Sequence, residues 1–144
     1  MRAKHDLPST AFVDTSYLFA CIDPADAHHD SACTLAEQVD ERKTACLTTW
    51  DVVSETATLL LYRTSQRSSI RFLDEVLPRL RVVDVDASLH AAALEQFRRF
   101  NRGGGPRISL CDAVTYCILT RMLEGTPCLA FDRGLKAIGL HVLP

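Results

Sequence analysis

Short apolar runs alternate along this chain with longer stretches in which apolar residues recur every three or four positions. Brief runs rich in Val, Leu, Ile and Phe read as buried strands, and the longer spacing reads as helices with one face turned to a core. The pattern predicts strands near residues 11–14, 46–48, 81–85, 127–131 and 141–143. It predicts helices near residues 16–21, 24–42, 51–62, 65–77, 87–100 and 110–123, with a short helical turn after Asp132. Alternation of this kind implies an α/β fold with a mostly parallel sheet. Gly103 to Pro106 is the one strong breaker cluster, and no internal repeat is evident.

The length of 144 residues fits one domain with one core. With 47% hydrophobic and 24% charged residues the chain is expected to fold rather than remain disordered. Residues 1–10 (MRAKHDLPST) are polar and read as a short tail, not a signal peptide. No apolar stretch reaches the roughly 20 residues that cross a bilayer, so no membrane partner is expected and the protein is placed in the cytoplasm. None of the six cysteines forms a CxxC pair, and most sit in apolar runs, which favours buried, reduced thiols. Cys21, His28, His29 and Cys33 are zinc-type ligands, but their C-x6-H-H-x3-C order matches no closed zinc spacing.

Four acids stand out by position. Right-handed crossovers bring the C-terminal ends of parallel strands to one edge of a sheet, where open α/β folds bind ligands. Asp14 and Asp132 each follow an apolar run at such an end and precede a predicted helix. Asp112 lies in the first turn of one helix, and Glu55 about one turn into another. Singly, each has an ordinary explanation: Asp14 and Asp132 as N-caps, Ser109 to Asp112 as a capping box, Glu55 as a solvated helix residue. Helical spacing, however, puts Asp112 on the face of Leu119 and sets Glu55 beside the Val52, Thr56, Leu59 and Leu60 stripe. Inward carboxylates repel one another and lose hydration unless protonated or neutralised, and a divalent cation removes both costs. Oxygen-rich sets suit Mg2+ or Mn2+, which assist phosphodiester hydrolysis. Hydroxyls nearby, Thr15 and Ser16, Thr48 and Thr49, and Ser109, serve either to orient carboxylates or as plain turn and cap residues.

The segments FVDTSYL around Asp14, LTTWDVVSETATLL leading to Glu55, SLCDAVTYCIL around Asp112 and LAFDRGL around Asp132 resemble the PIN-domain ribonuclease family, most closely its short VapC-like toxin branch. In order and spacing they span nearly the whole chain. The resemblance implies a three-layer α/β/α sandwich, with residues 11–144 as a single PIN-like domain. It implies a catalytic, metal-binding set of Asp14, Glu55, Asp112 and Asp132, holding Mg2+ or Mn2+, and endoribonuclease activity. Thr15 and Ser109 match the family's supporting hydroxyls. A toxin–antitoxin pair with a small antitoxin protein, and often a homodimer, follow from the same likeness. Leu135 departs from the aromatic frequent at that position, a matter of packing rather than chemistry.

Two other phosphate- or metal-handling folds lack support. A dehalogenase-type phosphatase wants Asp where Ser16 stands, and a von Willebrand A-type module wants Ser where Leu18 stands. A catalytically silent PIN-like module for RNA binding or assembly is the remaining rival, and the presence of all four acids counts against it. The net charge of -2 does not exclude an RNA substrate, because acids gathered around metal leave the outer surface more basic than the sum. Arg98, Arg99, Arg102 and Arg107 bracket the glycine cluster; Arg102 and Arg107 are the candidate phosphate contacts, against the reading of a basic helix end and flexible connection. Arg63, Arg67 and Arg71 read as a solvated face, and His28, His29, His90 and Trp50 carry no comparable signal.

Overall fold

β1 (Thr10–Val13) is an apolar run whose Ala11, Phe12 and Val13 are wholly buried. It occupies the centre of the sheet in the computed structural model, which describes residues 6–144. Around it lie β2 (Ala45–Thr48), β3 (Arg81–Val82), β4 (Cys128–Leu129) and β5 (Val142–Leu143), in the order β3-β2-β1-β4-β5 with every pairing parallel. The sheet expected to be mostly parallel is entirely so among the described residues. β3, β4 and β5 are shorter than the apolar runs that foretold them, since only two residues of each keep ladder geometry.

The helices are α1 (Thr15–Ile22), α2 (His29–Arg42), α3 (Trp50–Arg63), α4 (Gln66–Arg71), α5 (Ala87–Asn101), α6 (Leu110–Arg121) and α7 (Arg133–Ala137). They flank the sheet as the outer layers of an α/β/α arrangement. The chain steps from β1 to β2 to β3, then returns across the sheet to β4 and on to β5. The strand order therefore reverses between β1 and β4, and right-handed crossovers then put the two runs of helices on opposite faces. α6 carries the largest number of buried residues of any helix described, seven of its twelve. No helix of the described residues is long and apolar enough to cross a membrane.

Three expectations need correction. The helix predicted over residues 24–42 starts only at His29. Asp23 Oδ1 accepts the Ala25 N–H at 3.0 Å and Asp26 Oδ1 accepts the His28 N–H at 2.8 Å. These side-chain turns compete with the first helical turn and displace it. The helix predicted over residues 65–77 breaks up: α4 ends at Arg71, a π-turn covers Phe72–Val76 and a 3-10 turn covers Leu77–Arg79. Phe72 is wholly buried at the break, and Pro78 has no N–H with which to continue. Of the segment read as a tail, residues 1–5 lie outside the described residues and residues 6–10 are docked. Leu7 is in the core, Thr44 Oγ donates to the Pro8 carbonyl at 2.9 Å, the Ala45 N–H donates to Ser9, and Thr10 already belongs to β1.

All six cysteines are free thiols, but only Cys117 and Cys128 are buried, the other four being half-buried. Leu135, the departure from the aromatic, is wholly buried in the core. The glycine-rich connection between α5 and α6 is closed by a side chain the sequence did not single out. Asn101 Nδ2 donates to the carbonyls of Phe97 (2.8 Å) and Ile108 (2.9 Å), and its Oδ1 accepts the Ile108 N–H at 3.1 Å. The connection is thus pinned at both ends, immediately before α6.

Candidate active site

Asp14 follows β1 directly, with its own N–H donated to the Leu129 carbonyl of β4 at 3.1 Å. It caps α1, and its Oδ2 accepts both the Ser16 N–H (3.2 Å) and the Ser16 hydroxyl (2.8 Å). The same Ser16 Oγ accepts the Phe131 N–H at 3.0 Å. One hydroxyl thereby ties the first acid to the segment that leaves β4, one residue before Asp132. Asp132 caps α7, its Oδ1 accepting the Gly134 N–H at 2.6 Å. The approach is close: a Cβ on residue 134 would stand 3.0 Å from Asp132 Oδ1 and 3.3 Å from Ile108 Cδ1, so a side chain there would push on the acid.

Asp112 and Ser109 form the expected capping box at the start of α6. The Asp112 N–H donates to Ser109 Oγ at 3.0 Å, and the Ser109 N–H donates to Asp112 Oδ2 at 2.9 Å. Glu55, on α3, accepts the Thr15 hydroxyl through Oε2 at 3.1 Å, which links α1 to α3. Thr48 and Thr49 follow the plainer reading. Thr48 bonds the Val13 carbonyl and Thr49 caps α3 through the Val52 N–H, and neither holds an acid.

Asp14, Glu55, Asp112 and Asp132 line one cavity of about 500 Å³, with Thr15, Ser16 and Ser109 in the same wall. The cavity opens at the strand ends where the sheet order reverses between β1 and β4, the place where open α/β sheets receive ligands. Asp14 is 2% exposed and Asp112 7%. Burial, more than any other influence, pushes the Asp14 carboxyl up from its ordinary range to about 7; the Ser16 hydrogen bonds oppose this, and the Asp112 and Asp132 charges add to it. Burial also raises Asp112, opposed by Ser109 and reinforced by Asp132 and Glu55. Burial and the Glu55 carboxylate beside it keep the Cys111 thiol protonated.

None of the four acids makes an ion pair among the described residues; the pairs present are Arg42 with Asp6, Arg71 with Glu75, Arg79 with Asp40 and His90 with Asp51. Two buried carboxylates without a protein cation are a donor set suited to a hard divalent ion. As the side chains stand, no three His, Cys, Asp or Glu of the described residues are close enough to hold one ion directly. The donor chemistry fits Mg2+ or Mn2+, then, with water completing the coordination, as Mg2+ commonly keeps several waters. In the zinc-type set weighed from sequence, His29 Nδ1 lies 2.6 Å from the Ala20 carbonyl, and Cys33 Sγ lies 3.6 Å from His29 Nε2.

The arginines divide. Arg107 lines the cavity, while Arg102 is exposed and is not in its wall. Arg63, read from sequence as part of a solvated face, lines the cavity as well. His28 and Phe131, passed over in the sequence, stand in the same wall as a stacked pair. Ser16 was legible as a hydroxyl beside Asp14, but nothing in local sequence joins it to residue 131, which is 115 positions away.

A family model described as "PIN domain" matches residues 11–140. No curated protein matches. Among solved structures, the Mycobacterium tuberculosis VapC20 crystal structure, titled a sarcin-ricin loop cleaving toxin, is 28% identical with a TM-score of 0.76. The match covers 90% of this chain and 95% of that one. FitAcB from Neisseria gonorrhoeae is 14% identical with a TM-score of 0.67, covering 93% of this chain and 96% of that one. FitAB bound to an IR36 DNA fragment is 17% identical with a TM-score of 0.65, covering 92% and 93%. At those identities the last two share the fold.

The raised Asp14 carboxyl sets a pH dependence in the metal-free protein. Between about pH 4 and pH 7 the folded state keeps a proton that the unfolded state has lost, so this group's effect on stability falls as pH rises through that window. Asp14→Asn removes the titration. Its melting temperature relative to wild type is expected to climb from pH 4 to pH 8, and a constant difference would refute the assignment. Asp112→Asn, which keeps the capping-box acceptor, is expected to be folded and no less stable than wild type without metal. Manganese is expected to raise the wild-type melting temperature, equivalent to about 2.7 kcal/mol at a hundred times Kd, and to do little for Asp112→Asn.

Proposed function

The chain belongs to the PIN domain family, and on that premise we propose that it is a divalent-metal-dependent endoribonuclease acting as the toxin of a toxin–antitoxin pair, its site built by Asp14, Glu55, Asp112 and Asp132. One observation carries the reading: four acids from four separate elements line a single cavity at the reversal point of the sheet, with no cation paired to any of them among the described residues. The likeness over nearly the full length to a structure titled a sarcin-ricin loop cleaving toxin supports the substrate class. The acids are not spent on structural ion pairs, which disfavours a silent binding module.

Asp14, Glu55, Asp112 and Asp132 would hold Mg2+ or Mn2+, directly or through water. When bound, the ion supplies neutralising charge, activation of water and stabilisation of the charge that builds on the phosphate. The chain's own residues fix the acids. Ser16 holds Oδ2 of Asp14, Thr15 holds Oε2 of Glu55, and the Ser109 N–H holds Oδ2 of Asp112. These bonds preset the carboxylates before substrate arrives, which lowers the reorganisation needed during reaction. Arg63 and Arg107 in the cavity wall are placed to receive RNA phosphates. Carboxylates gathered for a divalent ion suit attack by water and no protein nucleophile is required, so hydrolysis by water is the route this reading takes. A small antitoxin that covers the cavity and a homodimer complete the proposal, in a cytoplasmic protein. Leu61, Tyr62, Ile70 and Leu73, exposed along and after α3, are the apolar surface such partners would bury; sedimentation of Tyr62→Ser beside wild type tests the dimer.

Expression of the wild-type chain is expected to yield new RNA ends carrying 5′-phosphate and 3′-hydroxyl groups, with a chelator stopping the reaction and Asp112→Asn losing it by orders of magnitude. A substrate with a 2′-deoxy sugar at the cut site is expected still to be cleaved. Cyclic 2′,3′-phosphate ends, made in the presence of chelator, would overturn the mechanism.

For the arginines, paired alanine substitutions at Arg63 and Arg107 should make the slope of log affinity against log salt shallower by roughly 0.7 per lost phosphate contact, across unrelated RNAs. Arg102→Ala alone should leave the slope near that of wild type. Equal slopes in all three proteins would return Arg63 and Arg107 to the solvated surface.

A further inference from the structure

The cavity wall holds a feature that neither metal binding nor phosphate binding uses. The imidazole of His28 lies parallel to the ring of Phe131, with centroids 4.6 Å apart and planes 7° from parallel. Both rings line the acidic cavity, and His28 is exposed. Neither is loosely placed. The His28 N–H is donated to Asp26 Oδ1, and the Phe131 N–H is donated to the Ser16 hydroxyl that also holds Asp14. The ring pair and the first carboxylate therefore share one frame.

Covering Phe131 alone would call for any apolar side chain. A flat polar ring laid on it does something more: one face is spent on Phe131, and the rest of the ring stays exposed in the cavity wall. Unpaired RNA bases are bound in this way, stacked on aromatic or histidine rings, while phosphates go to basic side chains. The cavity supplies both kinds of surface, since Arg63 and Arg107 stand in the same wall, and its volume of about 500 Å³ leaves room beside the acids.

We propose that His28, backed by Phe131, is the stacking platform for one unpaired nucleobase adjacent to the phosphate that reaches the four acids. This rests on the nuclease reading and makes the substrate single-stranded at that nucleotide. His28 acts as a positioning residue, through its flat face rather than through proton transfer.

The test measures binding of a short single-stranded RNA of mixed sequence to protein carrying Asp112→Asn, so that the strand stays intact, and cleavage of the same RNA by protein with Asp112 in place. In the binding background, His28→Ala is expected to weaken affinity roughly 5- to 150-fold, the range for losing one base stack. His28→Phe restores affinity, and His28→Leu, which keeps an apolar cover on Phe131 without a ring, does not. Walking an abasic nucleotide along the RNA is expected to find one position that weakens binding to the His28 protein but costs nothing further in His28→Ala. An abasic walk with no such position overturns the proposal whatever the variants do. So does equal affinity of His28→Leu and His28→Phe at matched melting temperature, which makes the ring a packing element. A His28→Phe protein that binds normally but cleaves slowly with an altered pH profile assigns His28 to proton transfer instead. If the unsubstituted protein neither binds nor cleaves RNA, the nuclease reading itself fails. Binding and cleavage with indifference to ring and base sink only the platform.

Discussion

Four carboxylates in one cavity, two of them nearly inaccessible to water, oppose folding twice over, once through lost hydration and once through mutual repulsion. No arginine or lysine is paired with them among the described residues. Asp14 shows the consequence, its carboxyl pushed up to about 7 by burial and by its acidic neighbours. The rest of the fold must supply enough favourable packing to carry this unfavourable charge, and a divalent ion is the natural means of relieving it.

What holds the charges in place is a set of short polar links anchored in apolar elements. Phe12 and Val13 of β1 and Leu129 of β4 are wholly buried, and their register sets Asp14 beside the exit of β4. Ser16 then spans the gap between the two strand ends, while Thr15 reaches across to α3. The capping box ties Asp112 to the start of α6, a helix with seven buried residues, and Asn101 pins the connection before it. Each acid is therefore connected to the core through one hydrogen-bonded step, and none depends on a free loop. A site of this kind is preorganised by the scaffold, as electrostatic catalysis requires.

The surface around the cavity divides its labour by chemistry. Hard oxygen donors, guanidinium groups and a stacked ring pair all stand in its wall. A nucleic acid strand carries three matching groups at each nucleotide: a reactive phosphate, neighbouring phosphates and a flat base. The net charge of -2 conceals this arrangement, since Asp14 and Asp112 are buried while Arg63 and Arg107 stand in the same cavity wall.

Local pattern in the sequence was enough for the alternation of strands and helices, the capping box from Ser109 to Asp112, and the four acids in their order. These are properties of neighbouring residues: apolar period, cap chemistry and the position of a carboxylate just after a buried run. The same pattern overran at residues 24–28 and 72–77, where side-chain turns at Asp23 and Asp26, and the seating of Phe72 before Pro78, overrode helical periodicity. Tertiary structure alone decided that Ser16 meets Phe131, that Arg63 rather than Arg102 stands in the cavity wall, and that His28 lies flat on Phe131. Those contacts join residues up to 115 positions apart. They follow from which strand ends become neighbours when the sheet reverses between β1 and β4, a choice made by the energy of the whole core and not by any short stretch of chain.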